Sequence, residues 1–263
     1  MRIALCQTSS TDDPAANLES VRAGVAEAAA RGAGLVVFPE AAMVRFGVPL
    51  APLAQPLDGP WAEGLRAIAA EAGVTVVAGM FTPASEGRVS NVLLATGGGV
   101  EAAYRKIHVY DAFGHRESDS VEPGAQPVVI EVDGVRIGLA TCYDVRFPEL
   151  FRHLARHGAV ATVLCASWGT GEGKLDQWRL LTRARALDST SWILACDQAD
   201  PETVGETVTG NAPRGIGHSA VIDPTGRVVH ELGAAPETLV VDIDPATVTG
   251  VREAIPVLAN ARL

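Results

Sequence analysis

Short apolar strands alternate with amphipathic helices along most of this chain, and that alternation is the strongest constraint on its fold. Runs such as Leu35-Val36-Val37-Phe38 and Ala161-Thr162-Val163-Leu164-Cys165 lack a regular polar face. Strands of that kind are buried on both sides, so helices must cover the sheet they form. The pattern predicts strands at 2–8, 34–38, 74–81, 89–96, 100–105, 127–132, 135–141, 159–165, 191–197, 217–223, 227–232 and 238–243. Helices are predicted from Pro14 to Gly32 with Asp13 as cap, through Trp61, Leu65 and Ile68 to Gly73, and at 147–157 and 175–189. The last twenty residues are predicted to start as a helix and end extended. The polar stretch 107–126 reads as a long functional loop.

The chain has 263 residues, 48% of them hydrophobic, which is ample for one large core. No fixed-period repeat and no linker-like segment interrupts it, so a single α/β domain is expected over residues 1–263. The tail at about 245–263 has no partner in its own pattern and is expected either to fray or to dock on a neighbouring subunit. A net charge of −10, with no basic block, argues against nucleic acid and against an anionic membrane as partners. No apolar run approaches the ~18 residues of a membrane span, and Met1 leads directly into a short strand. A cytoplasmic protein is expected.

Four cysteines, Cys6, Cys142, Cys165 and Cys196, are far apart, with no paired spacing that suggests zinc or a dithiol. Cys6, Cys165 and Cys196 lie inside apolar strands and read as packing residues. Cys142 differs. The run Val135–Thr141 ends on it, a break follows at Tyr143-Asp144, and Pro148-Glu149 marks a helix start. A thiol on such an elbow faces a cleft, where a helix N-terminus favours the thiolate and backbone N–H groups can hold an oxyanion. The alternative is a small core residue at a strand end.

Two further strand ends present a reactive group: Glu40 after Leu-Val-Val-Phe-Pro, and Lys106 after Ala-Ala-Tyr-Arg. Each alone reads equally as a loop acid or a solvated lysine. Strands running in one direction bring such ends to one rim of a sheet, where sites form. Together the three support acyl transfer from an amide. The thiol attacks the carbonyl carbon, a carboxylate takes and returns the proton, and an ammonium with a backbone N–H holds the oxyanion. Glu40 serves as base only if burial raises its pKa. This chemistry needs no metal or other cofactor, and no ligand-spaced histidine pair is present.

The motifs Val36–Glu40 (VVFPE), Tyr104–Asp111 (YRKIHVYD) and Thr141–Leu150 (TCYDVRFPEL) resemble, in order, the Glu, Lys and Cys motifs of the nitrilase superfamily of carbon–nitrogen hydrolases. The resemblance covers essentially the whole chain. It implies a four-layer αββα sandwich of two mixed sheets flanked by helices, pairing into a homodimer or higher homo-oligomer. It implies Cys142 as nucleophile, Glu40 as general base and Lys106 as stabiliser of the tetrahedral intermediate. Glu117 resembles the family's second glutamate, which orients substrate or tunes the lysine; a loop acid beside Arg116 is the plainer alternative.

The stretch 105–120, the Cys motif, the helix 177–189 and residues 217–226 look most similar to amidases acting on ω-amides of 2-oxo acids and on deaminated glutathione. N-carbamoyl hydrolases and true nitrilases are the nearer alternatives. In that branch Arg146 is expected to clamp a substrate carboxylate; its plainer alternative is a structural pair with Asp144 or Glu149. Tyr143 offers a backbone N–H to the oxyanion, and Ser167 and Trp168 line the pocket; for Trp168 plain core packing is the alternative. The loop 198–216, rich in Gly, Pro, Thr and acid, departs from the resemblance and leaves substrate identity open. Two rival readings are a Cys–His hydrolase using His108 or His218, and a catalytically silent binding protein of the same fold.

Overall fold

A computed structural model describes residues 1–112, 114–207 and 210–262. Within the expected loops and tail, Phe113, Val208, Thr209 and Leu263 lie outside the described residues.

The first half runs β1 (Arg2–Gln7), α1 (Pro14–Ala30), β2 (Leu35–Val37), α2 (Pro60–Ala72), β3 (Thr75–Pro83), β4 (Val89–Gly97) and β5 (Val100–Arg105). Asp13 caps α1, accepting from the Ala15 and Ala16 N–H groups, with Pro14 in the first turn. The expected loop 107–126 contains a small ribbon, β6 (Asp111–Ala112) with β7 (His115–Arg116), and a 3₁₀ turn at Glu117–Asp119. The second half runs β8 (Val129–Val132), β9 (Val135–Thr141), α3 (Pro148–Arg156), β10 (Ala161–Ala166), α4 (Lys174–Ser189), β11 (Trp192–Asp197), β12 (Ala220–Ile222) and β13 (Val228–Glu231). Then β14 (Glu237–Asp242) returns to pair with β1, and α5 (Thr247–Ala254) and α6 (Val257–Asn260) follow.

Two six-stranded mixed sheets result, ordered β14-β1-β2-β3-β4-β5 and β13-β12-β11-β10-β9-β8. The alternation of side chains explains why the strands read as continuously apolar. Ile3, Leu5, Leu35, Val37, Val77 and Leu93 pack against Ile137, Leu139, Val163, Leu194 and Val221 in the seam between the sheets. The intervening residues face helices: Ala4, Val36 and Val76 meet Val21, Val25, Leu65 and Ile68 of α1 and α2. Likewise Ala140, Leu164 and Ile193 meet Phe151, Leu154 and Trp178 of α3 and α4. Each fully buried Leu or Ile stabilises the fold by roughly 2 kcal/mol. The layers are therefore αββα, as the resemblance implies.

Cys6, Cys165 and Cys196 are fully buried packing residues, as expected. Three details differ from the sequence reading. Glu40 and Lys106 follow strands of the first sheet and Cys142 follows a strand of the second, so the site forms where two sheet rims meet and not on one. The strand expected from 217 begins only at Ala220, because Gly217 and His218 both have positive φ and the Ser219 N–H is taken by Gln7 Oε1. The chain end expected to be extended turns into α6, which lies against α4. Just before it, α5 docks on its own chain. Val248 is buried, and Arg252 Nη2 donates to Ala159 O at 2.9 Å and Ser191 Oγ at 3.0 Å. Among the described residues no helix is long and apolar enough to cross a membrane.

Candidate active site

The ends of β2, β5 and β9 converge on one cavity of about 460 Å³, lined by Glu40, Lys106, Glu117 and Cys142. Tyr143, Arg146, Ser167 and Trp168 line it too, whereas His108 and His218, the alternative bases, are not among its lining residues.

Glu40 sits two residues past Phe38, on a bend where Ala41 takes φ 58°. Gly79 makes that bend possible: a Cβ there would lie 2.5 Å from the Ala41 nitrogen and 2.7 Å from the Pro39 oxygen. Glu40 is completely buried. Lys106 Nζ and Asn91 Nδ2 donate to its Oε1 at 2.9 and 2.7 Å, and the Ser167 N–H donates to Oε2 at 2.9 Å. Lys106 Nζ also donates to Glu117 Oε1 and Oε2 at 3.1 and 2.9 Å. The Tyr110 N–H holds the second glutamate in turn. Glu117 is thus a buried partner of the lysine and not a loop acid beside Arg116.

Burial pushes the Glu40 carboxyl above its ordinary value; Lys106 opposes the shift and Glu117 reinforces it. Burial pulls Lys106 down, but Glu117 and then Glu40 outweigh it, and the ammonium is held well above its ordinary range. A cation fixed between two carboxylates stays charged and cannot lend a proton, whereas Glu40 is poised to exchange one.

Cys142 takes φ 45°, left-handed backbone that a side chain rarely adopts. The elbow points the thiol into the cavity, with Sγ 3.9 Å from the Ser167 carbonyl oxygen. The sequence reading expected a helix N-terminus to favour the thiolate. The direction is reversed: burial and the Glu40 charge hold the Cys142 thiol well above its ordinary value, and Lys106 only partly offsets them. A resting thiol needs a base, and Glu40 lines the same cavity with its charge acting on the thiol.

The elbow is pinned by Asp144, which is fully buried. Its Oδ2 accepts from Tyr104 Oη at 2.6 Å and the Thr141 N–H at 2.8 Å. Its Oδ1 meets the His108 N–H at 3.1 Å and Nδ1 at 2.7 Å. His108 also stacks on Phe147 with centroids 3.7 Å apart. His218 Nδ1 lies 3.0 Å from Glu231 Oε1. Both histidines thus have a carboxylate at Nδ1, and neither is among the residues lining the cavity of the thiol, so the Cys–His reading finds no support.

With Asp144 so occupied, Arg146 does not pair as the structural alternative expected. Its Nη2 donates to Gln177 Oε1 at 2.6 Å, while its buried Nε has no hydrogen-bond partner. The guanidinium lies 5.4 Å from the Trp168 ring centroid and 5.9 Å from that of Tyr143. Ser167 contributes through its backbone, because its hydroxyl donates to Pro213 O at 3.0 Å. The Trp168 N–H donates to Asp197 Oδ1 at 2.8 Å and its Nε1 to Lys174 O at 3.0 Å.

Sequence reasoning passed over Asn91 and Asp197, and read Asp144 only as a pairing partner for Arg146. Asn91 and Asp197 carried a signal, each being a polar group within or ending a buried apolar strand. Burial raises the Asp197 carboxyl to about 8, although N–H groups of Trp168 and Ile216 pull it down. Among the described residues no cluster of three or more His, Cys, Asp or Glu side chains is arranged to hold a metal ion.

Comparison with known proteins shows the family to which the chain belongs. The family model described as carbon–nitrogen hydrolase matches residues 2–253. A protein named only as a hydrolase, from Mycobacterium tuberculosis, is 56% identical over 266 residues, covering 99% of this chain and 95% of that protein. Deaminated glutathione amidase of Escherichia coli O157:H7 is 36% identical over 251 residues, covering 94% of this chain and 91% of its own. The crystal structure of Saccharomyces cerevisiae Nit3, a member of branch 10 of the nitrilase superfamily, superposes with a TM-score of 0.86 at 26% identity, covering 100% of this chain and 97% of that one. This chain belongs to the carbon–nitrogen hydrolase family.

Proposed function

We propose that the protein is a thiol amidohydrolase that cleaves the C–N bond of a small carboxylate-bearing amide through a thioester on Cys142. The observation that carries this reading is the buried Glu40–Lys106–Glu117 chain beside the Cys142 thiol. Glu40 takes the thiol proton as Sγ attacks the amide carbon. The Lys106 ammonium and the Tyr143 backbone N–H hold the oxyanion. Glu40 then returns the proton to the leaving nitrogen, and ammonia or an amine departs. Water then attacks the thioester carbon and gives a proton to Glu40; the C–S bond breaks, Sγ takes that proton back, and the acid is freed. Glu117 keeps Lys106 charged and fixed.

Arg146 meets the substrate carboxylate in a bidentate fork. Its orphaned Nε supports that role, and Tyr143 and Trp168 form the walls beside it. The motif resemblance favours ω-amides of 2-oxo acids or deaminated glutathione as substrate class. The reaction calls for no cofactor. We place the protein in the cytoplasm and expect a homodimer or higher homo-oligomer. Exposed Leu180, Leu187 and Ile255 favour association, which sedimentation velocity tests.

The deciding experiment measures ammonia release from 2-oxoglutaramate, deaminated glutathione, N-carbamoyl amino acids and simple nitriles, with mass spectrometry of acid-quenched enzyme. An acyl adduct on Cys142 with turnover of the first two is expected. Turnover of nitriles alone overturns the substrate class, and no adduct with any amide or ester leaves a silent binding protein.

A further inference from the structure

Beside Lys106 and Arg146 the cavity is lined by a third cation, Lys174, to which neither the catalytic chain nor the carboxylate clamp assigns a role. Lys174 lines it opposite Tyr110, its Nζ 3.3 Å from Tyr110 Oη and 5.6 Å from the ring centroid. Tyr110 packs edge-on against Tyr143, centroids 5.1 Å apart, and Tyr143 lies beneath Arg146. From the other side, Trp168 touches Arg146 with its ring and holds the Lys174 carbonyl with its Nε1. The two cations are thus set on one rigid aromatic frame facing one space.

Two electrostatic features of the placement run against a resting cation. Lys174 is the first residue of α4, where the positive end of the helix dipole disfavours a cation. Burial and then the Arg146 charge pull its pKa below the ordinary value, so it feels a second like charge nearby. Glu172, also on the lining, is exposed at the rim. Lys106 is neutralised by Glu40 and Glu117, so Arg146 and Lys174 form a local cationic side of the cavity, in a protein of net charge −10, that is suited to an anion.

We propose that Lys174 is a specificity-determining residue that acts with Arg146 to select amides carrying two carboxylates remote from the scissile bond over amides carrying one. This inference rests on the amidohydrolase reading of the same cavity and narrows its substrate class.

The test compares glutaramate, with one carboxylate, and 2-(2-carbamoylethyl)malonate, with two, in the wild type, Lys174→Met and Lys174→Arg. Calorimetric titration of the same amides into Cys142→Ala and Cys142→Ala/Lys174→Met reads binding without turnover. The wild type prefers the dicarboxylate, and Lys174→Met lowers the ratio of kcat/KM values by about tenfold, the worth of one charge-assisted hydrogen bond, mainly through KM. Lys174→Arg recovers the preference. A ratio that Lys174→Met leaves in place, or that Lys174→Arg does not recover, overturns the proposal. If neither amide turns over but Cys142→Ala binds the dicarboxylate in a Lys174-dependent way, the two-cation site stands and the amidohydrolase reading fails. Turnover of both amides with no Lys174-dependent ratio has the opposite meaning. Neither turnover nor binding removes both.

Discussion

His108 Nδ1 lies 2.7 Å from Asp144 Oδ1, and the His108 backbone N–H reaches the same oxygen at 3.1 Å. One buried carboxylate therefore ties the loop after Lys106 to the elbow that carries Cys142. The other oxygen of Asp144 holds Tyr104 in the first sheet and Thr141 in the second. The distance between ammonium and thiol is set by this joint.

Asp144→Asn keeps one acceptor oxygen and turns an amide N–H₂ toward groups that are themselves donors. Such a loss at a fully buried carboxylate costs about 2–4 kcal/mol. Urea unfolding is expected to show that decrease. Ammonia release is expected to fall mainly in kcat, because the elbow moves relative to Lys106. An unchanged kcat in folded Asp144→Asn protein removes the joint from the mechanism.

Glu40→Gln keeps the size of the side chain and removes the base. Turnover is expected to drop by roughly 10²–10⁴. Because burial holds Glu40 above the ordinary carboxylate range, the wild-type kcat/KM is expected to fall with decreasing pH well before a solvated glutamate would protonate. That acid limb should be missing from the residual activity of Glu40→Gln. Its persistence assigns the limb, and the base, to another group.

The outcome for Glu40, Lys106 and Cys142 reflects what a one-dimensional pattern encodes. A reactive residue at the end of an apolar run is visible, because the run fixes where the strand stops. Which sheet the strand joins is not visible: β2 and β9 have the same apolar character, yet they belong to different sheets. Asn91 went unread, and Asp144 was tied to Arg146, for a related reason. Their partners are 51 residues away at Glu40, and 40 and 36 residues away at Tyr104 and His108. The thiolate expectation failed because burial is a property of the assembled site, and here it outweighs a short helix terminus.

Asp197 makes stability depend on pH in the direction opposite to most carboxylates. Its folded pKa, about 8, exceeds the ordinary aspartate value, so the native state binds a proton that the unfolded chain has released. The stabilising share is full below the unfolded pKa and is lost as pH rises toward 8. A shift of this size corresponds to on the order of 5 kcal/mol at most. Asp197→Asn, neutral at every pH, is expected to flatten the fall in unfolding free energy between about pH 4 and 8. Guanidinium titrations at several pH values measure it, and an unchanged slope excludes Asp197 as the source.

The backbone of Cys142 offers a test of stored strain. At φ 45° the Cβ is crowded by its own carbonyl, at a cost of about 1–2 kcal/mol that glycine escapes. Cys142→Ala removes the thiol but keeps the Cβ, whereas Cys142→Gly removes both. The glycine variant should therefore unfold at higher urea concentration than the alanine variant, by about 1 kcal/mol after the added freedom of the unfolded glycine is subtracted. Both should be inactive, since neither carries a nucleophile. If alanine is the more stable of the two, the elbow is relaxed at Cys142 and the thiol is presented without strain.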